Sequence, residues 1–306
     1  MRHMSHIPIL ENEVTQLLVD DLGGTYVDCT IGLGGHSSAI LSKLNSKGFL
    51  IGLDVDPDAL DMAKKKLSAF NSRQYSLHNA SYINFPEIFS ILGVDKVNGF
   101  LFDLGISSYQ VDSKHRGFSY RYNANLDMRF NNKTSLTAKE YISKIDKDDL
   151  LKVLQIYGQV RYAKRITNSI VSQRKKGLMN TTFDLKNAVI KINDNNQLLS
   201  QVFQAIRIGV NDEINILKKT LLKISDYLEV GGKVAVISFH SIEDRIVKHF
   251  FKNAYLVSSS DYYKKETYID SKYKLLTKKP IIADNLEIET NSRARSAKLR
   301  IAQKIK

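Results

Sequence analysis

Short apolar runs punctuate the chain at 25–31 (TYVDCTI), 49–54 (FLIGLD), 98–104 (NGFLFDL) and 233–239 (KVAVISF). Each is bounded by glycine or polar residues, the pattern of strands buried on both faces of a parallel sheet. Between the first two, HSSAILSKLNSKG has helical spacing and is closed by Gly48. After the second, Asp56 stands where an N-cap accepts first-turn N–H groups, and the fixed φ of Pro57 suits the first helical position. Strand, glycine loop, helix, strand is a βαβ unit, so the pattern predicts an α/β fold.

More than a hundred residues separate the third run from the fourth, and most of them have helical spacing. Thr137 and Glu140 form a capping-box pattern; Leu150, Leu151, Leu154 and Tyr157 continue it; Tyr162, Ile166 and Ile170 follow four apart. TTFDLKNAVIKI is a further short helix. Ile214, Leu217, Leu221, Ile224 and Leu228 mark a long amphipathic helix that Gly231 and Gly232 stop. The expected organisation is a core of 1–112 and 211–306 with an inserted helical domain at 113–210. There is no internal repeat.

Of the 306 residues, 43% are hydrophobic and 25% charged, as in an ordinary globular protein. No apolar run approaches the roughly 18 residues of a membrane span, and MRHMSHIPILENEV lacks the apolar centre of a signal peptide, so a cytoplasmic location is expected. The sole cysteine, Cys29, lies inside a strand as a small apolar residue. The net charge is +13, and residues 245–306 carry 15 Lys and Arg against 6 Asp and Glu. Such a surface attracts polyanions, nucleic acid first among them, although a lysine-rich composition alone accounts for part of it.

The glycine loop in DCTIGLGGHS (28–37) fits a nucleotide site but does not by itself choose the ligand. It lacks the G-K-[ST] of a phosphate-binding P-loop, and Gly32, Gly34 and Ser37 match a dinucleotide fingerprint only in part. Asp28-x-Thr30-x-Gly32-x-Gly34 instead places a carboxylate ahead of the glycines. That suits a cationic ligand and would repel a pyrophosphate. Asp54, about 20 residues further on at a strand tip, is placed to accept from a ribose diol.

GLGGHS, LDVDPDAL, FDLGISSYQVD, RGFS, LDMR, GQVRYAKRI, FQAIRIGVNDE, ISFHSIEDRIVK and NSRARSAKLRIA occur in this order along nearly the whole chain. Together they resemble the bacterial MraW/RsmH family, S-adenosylmethionine-dependent methyltransferases of the exocyclic N4 of a cytosine in the decoding region of 16S ribosomal RNA. The resemblance implies a class I, Rossmann-like methyltransferase fold with a mostly parallel sheet and an inserted helical domain. S-adenosylmethionine would be the cofactor and 16S rRNA within the small ribosomal subunit the partner, with no membrane involved and a homodimer left open. It places cofactor contacts on Gly34, Gly35, His36, Asp54, Tyr82, Asp103 and Gln110, beside the Asp28 and Gly32 of the loop. Tyr82 stands where the family more often has Phe, and Tyr109 where it often has Pro.

Methyl transfer from a sulfonium is an in-line displacement that needs no metal, and the enzyme's task is to align the nucleophile. The Asp-Pro-Pro-Tyr turn of many amino-methyltransferases is replaced by Asp103-Leu104-Gly105-Ile106-Ser107-Ser108. Asp103, the loop carbonyls, Ser107 and Ser108 are the candidates for holding the amine, with Asp103 equally suited to the methionine end of the cofactor. Tyr109 or Phe239 is placed to stack the base, with His240 and Arg245 at the next strand end, Ser241 as a helix cap and Arg129 of LDMR as further candidates. Arg161, Lys164, Arg165, Arg174, Lys175 and Lys176 of the insertion, and Arg293, Arg295, Lys298 and Arg300 of the tail, are the expected phosphate partners. Two other readings stay open: an NAD-dependent dehydrogenase, and a non-catalytic RNA-binding assembly factor that keeps the fold.

Overall fold

The computed structural model describes residues 8–131, 136–252 and 272–306. The start of the N-terminal segment and the 253–271 part of the basic tail lie outside the described residues. The chain divides into two compact units, a core unit of 1–105 with 217–306 and a helical unit of 106–216.

The core unit opens with α1 (Glu11–Leu18), β1 (Thr25–Asp28), α2 (Gly35–Lys43), β2 (Phe49–Asp54) and α3 (Pro57–Leu67). Then come β3 (Tyr75–Asn79), α4 (Phe85–Leu92) and β4 (Val97–Asp103). Asp56 caps α3 as expected, its side chain accepting from Asp58 N. Helix α2 ends at Lys43, where Leu44 N bonds back to Ile40, rather than reaching Gly48. Gly48 belongs to the turn that starts β2, where a Cβ would meet Leu22 O at 2.7 Å.

The helical unit holds α5 (Ser108–Asp112), α6 (Ala138–Lys144), α7 (Lys147–Ile156), α8 (Ala163–Lys175), α9 (Thr182–Ile190) and α10 (Asn196–Asn211). Its own core contains Ile142, Leu150, Leu154, Ile166, Ile170, Leu185, Val202 and Ile206, each fully buried. Thr137 and Glu140 form the capping box of α6, hydroxyl to N–H and carboxylate to N–H. The division between units falls within α11 (Glu213–Tyr227).

Helix α11 leads directly into β5 (Leu228–Ser238), followed by α12 (Ser241–Phe251), β6 (Tyr273–Leu275), α13 (Asn285–Thr290) and β7 (Lys298–Lys304). The seven strands form one sheet in the order β3-β2-β1-β4-β5-β7-β6. The first five run parallel, β7 runs antiparallel to β5, and β6 antiparallel to β7. This mostly parallel sheet within an α/β unit is the fold class expected from the sequence. Strands β1, β2 and β4 are buried along their centres, and Phe85, Phe89, Phe100 and Tyr227 pack ring to ring at 5.1–6.1 Å between β4 and its helices. Chain order reverses between β1 and β4, the switch point at whose carboxyl ends open α/β sheets bind ligands. Cys29 sits directly after β1, 1% exposed, and burial pushes its thiol well above the ordinary range. No helix among the described residues is long and apolar enough to cross a membrane.

Candidate active site at the carboxyl end of the sheet

Three neighbouring strands end in a carboxylate: β1 in Asp28, β2 in Asp54 and β4 in Asp103. Between β1 and α2 the glycine loop turns through the left-handed region at Gly32 (φ 51°) and Gly34 (φ 78°), where a side chain is strained. A Cβ on Gly32 would meet only Thr30 O at 3.8 Å, so that stretch of backbone faces open space. Gly35 is small for a different reason, since its Cβ would lie 2.5 Å from Pro8 Cγ.

The carboxylates do different work. Asp54 accepts from Gly32 N and Asp56 N, both at 2.8 Å, and thereby holds the loop against the tip of β2. Asp28 is 1% exposed, with Oδ2 accepting from Ser37 Oγ at 2.7 Å and Oδ1 from Thr30 N at 3.2 Å. The expected direct contact of Asp28 with a ligand is therefore corrected: this carboxylate fastens the loop to α2 from beneath. Asp103 N donates to Thr30 Oγ1 at 2.6 Å, tying β4 to β1. Its Oδ2 lies 3.7 Å from Nε2 of the buried His36, and its Oδ1 has no hydrogen-bond partner among the described residues. In sequence, only the D-x-T spacing signals this role of Thr30.

Burial raises all three acids, Asp28 to about 6, Asp54 to about 7 and Asp103 to about 8. The hydrogen bonds to Asp28 and Asp54 only partly offset the loss of water, while Asp28 and Glu243 add like-charge repulsion at Asp103. Such a cluster of desolvated carboxylates at a switch point suits a ligand that brings positive charge and hydroxyl donors.

Tyr82 begins a 3-10 turn after β3 and sets its ring edge-on to Phe102 at 5.5 Å. At the end of β5, Phe239 approaches the backbone of Gly105 (φ 96°), with Cδ2 3.5 Å from where a Cβ would be. The next helix is capped by His240, not by Ser241. His240 Nδ1 accepts from Glu243 N, and Glu243 Oε2 accepts from Phe239 N and His240 N. His240 Nε2 lies 3.1 Å from Glu243 Oε1 but makes no hydrogen bond among the described residues, so the cap engages Nδ1 alone. Glu243, 3% exposed, was missed because it reads as a polar residue of an exposed helix face.

Several other expected site residues are already engaged. Ser107 and Gln110 form the capping box of α5 in the helical unit, and Ser108 is that helix's first residue. Tyr109 stands beside them, half-buried. Arg129 forks onto Asp127 at 2.7 and 2.8 Å. Among the expected phosphate partners, Arg174 donates to the carbonyls of Ile142 and Ile145, and Arg300 is bidentate to Asp244 at 2.6 and 3.2 Å. Both are structural, which corrects their assignment. Arg245 and Arg295 are exposed and Arg293 is half-buried, away from the three carboxylates in sequence and element.

Residues 3–305 match the sequence profile of the MraW methylase family. The chain belongs to the MraW methylase family. Among its relatives, the ribosomal RNA small subunit methyltransferase H of Caldicellulosiruptor bescii is 41% identical over 98% of this chain and 99% of its own length. The protein of the same name from Clostridioides difficile is 39% identical over 98% and 99%. A solved rRNA methylase from Streptococcus thermophilus aligns over 97% of this chain and 94% of its own, at 11% identity and a TM-score of 0.44. As a MraW methylase the chain is a methyltransferase with S-adenosylmethionine as donor. Neither the dehydrogenase nor the non-catalytic reading stands.

Proposed function

We propose that the chain methylates the exocyclic N4 of a cytosine in the decoding region of 16S rRNA within the small ribosomal subunit, in the cytoplasm. The observation that carries the reading is the open glycine backbone at Gly32 flanked by Asp54 and by Asp103, whose Oδ1 lacks a hydrogen-bond partner among the described residues. This donor set fits S-adenosylmethionine, which has an ammonium, a sulfonium and a ribose diol and no phosphate. When bound, that group supplies an electrophilic methyl.

The protein's own residues provide alignment. Asp54 retains lone pairs beyond its two backbone bonds, and these accept from the ribose hydroxyls. Asp103 Oδ1 takes the ammonium, whose charge offsets the repulsion from Asp28 and Glu243. The imidazole of His36 lies 3.7 Å from the other oxygen. The ring of Tyr82, fixed by Phe102, borders the adenine side. Cytosine N4 is a weak nucleophile because its lone pair is delocalised into the ring. The carbonyls that follow Asp103 accept its N–H groups and turn the lone pair toward the methyl, and Phe239 stacks the splayed base. Alignment of this kind supplies several kcal/mol of the barrier reduction, and splaying the base costs a few kcal/mol.

The test is transfer of labelled methyl from S-adenosylmethionine to small subunits lacking the modification, followed by nucleoside mass measurement. Label in N4-methylcytidine is the expected result. Label in any other nucleoside, or none in RNA, would sink the reading.

A further inference from the structure

Between Asp149 and Asp184 the chain contains no acidic residue but seven cations: Lys152, Arg161, Lys164, Arg165, Arg174, Lys175 and Lys176. The structure separates them by use. Lys152 pairs with Asp149 at 2.8 Å, and Arg174 is turned inward onto two carbonyls of the α6 end. The other five are exposed, and Lys164, Arg165, Lys175 and Lys176 make no ion pair among the described residues.

Their placement on α8 is regular. Ala163, Ile166, Thr167 and Ile170 face the core of the helical unit. The exposed positions are Lys164, Arg165, Asn168, Ser172 and Lys175 on the helix, with Arg161 just before it and Lys176 at its end. At 3.6 residues per turn these seven fall within an arc of about 120°. The face therefore carries five cations, one amide, one hydroxyl and no acid. Lys164 and Lys175 are separated by about 16 Å along the axis.

Helix stability accounts for only part of this pattern. Lys175 and Lys176 lie at the negative pole, where cations are favoured, but Lys164 and Arg165 occupy the first turn, the positive pole, where they oppose the helix. No acid lies between Asp149 and Asp184 in sequence to compensate. A row of unpaired cations interleaved with an amide and a hydroxyl matches a polyanion with regularly spaced negative groups that accept hydrogen bonds.

We propose that the outer face of α8 tracks the phosphate backbone of the RNA substrate, with Lys164 and Arg165 at one end and Lys175 and Lys176 at the other. This inference rests on the rRNA reading above and names the surface that holds the strand. The contacts are to phosphate, so they set affinity and salt dependence without selecting the base.

The test replaces Lys164, Arg165, Lys175 and Lys176 with Gln together, and in pairs as Lys164→Gln/Arg165→Gln and Lys175→Gln/Lys176→Gln in case the quadruple variant folds poorly. Lys64→Gln/Lys65→Gln/Lys66→Gln on the exposed face of α3 is the control. Binding of a small-subunit rRNA fragment is measured against salt, and methyl transfer against RNA concentration. The log-log salt slope should become shallower by about 0.7 for each phosphate no longer neutralised. KM for RNA should rise at least about tenfold for the quadruple variant, with kcat and the thermal shift by S-adenosylhomocysteine unchanged. A slope and KM like those of the unaltered protein, or no larger a change than in the control, overturn the proposal. If the slope shifts as expected but even the unaltered protein transfers no methyl to rRNA, the α8 surface stands and the substrate reading falls.

Discussion

Asp54 and Asp103, the acids of the proposed cofactor site, show how position changes an ordinary carboxylate. Each has lost more to desolvation than its hydrogen bonds return, so the fold favours the protonated form, toward about 7 and 8 against an ordinary value of 3.8; Asp28, near 6, behaves likewise. For acids raised in this way, the stability they lend is complete below about pH 4 and is lost as pH climbs through the folded values. The unfolding temperature of the ligand-free protein should accordingly fall between pH 5 and 8.5. The upward shift produced by S-adenosylmethionine should grow over the same range, because its ammonium binds the ionised form. Asp103→Asn should remove the part of that growth nearest pH 8, as read in thermal melts with and without ligand. The residues of this cluster were legible because a D-x-T-x-G-x-G spacing at a strand end has few uses. The role of Asp28 was not, since spacing does not reveal which side of a loop a carboxylate occupies. Nor does sequence reveal that the missing Cβ of Gly35 makes room for Pro8.

The last elements of the chain were the hardest to read. Strands β1, β2, β4 and β5 announce themselves as apolar runs, whereas KLRIAQK of β7 looks like a basic tail. It is a strand between β5 and β6 in which Arg300 lies buried against Asp244 of α12, with side chains 9% and 14% exposed. The β3 segment, YSLHN, is half-buried at the sheet edge and lacks the apolar density of the central strands. The capping role of His240 is not legible in sequence because an imidazole rarely caps a helix, and only the Glu243 side chain beside it makes the cap evident. Arg300→Ala would leave Asp244 without its fork, and breaking a pair this buried costs about 3 kcal/mol. Denaturant unfolding should show that loss while the salt slope of RNA binding stays unchanged, separating Arg300 from the exposed cations it resembles in sequence.

Across the whole molecule the charge of +13 is spread unevenly, and much of it is not available to a partner. Arg129, Arg174, Arg207 and Arg300 are consumed within the fold, while Lys164, Arg165 and Lys175 of α8 stay outward. Binding of RNA should weaken by about three-hundredfold or more between 50 and 200 mM salt if at least six phosphates are contacted. Binding of S-adenosylmethionine, held at a desolvated site, should change little, and titrations of each ligand at several salt concentrations would show the contrast. Composition points toward a polyanion but does not say which cations are free for it, because pairing is a property of the fold.

The seclusion of Cys29 has a practical side. With its single thiol shut behind the sheet and held protonated, the protein is silent toward thiol-directed dyes and spin labels. A cysteine introduced at Ser172, on the exposed face of α8, would be the one reactive position on the molecule. A reporter attached there would watch RNA arrive without any background from the native chain.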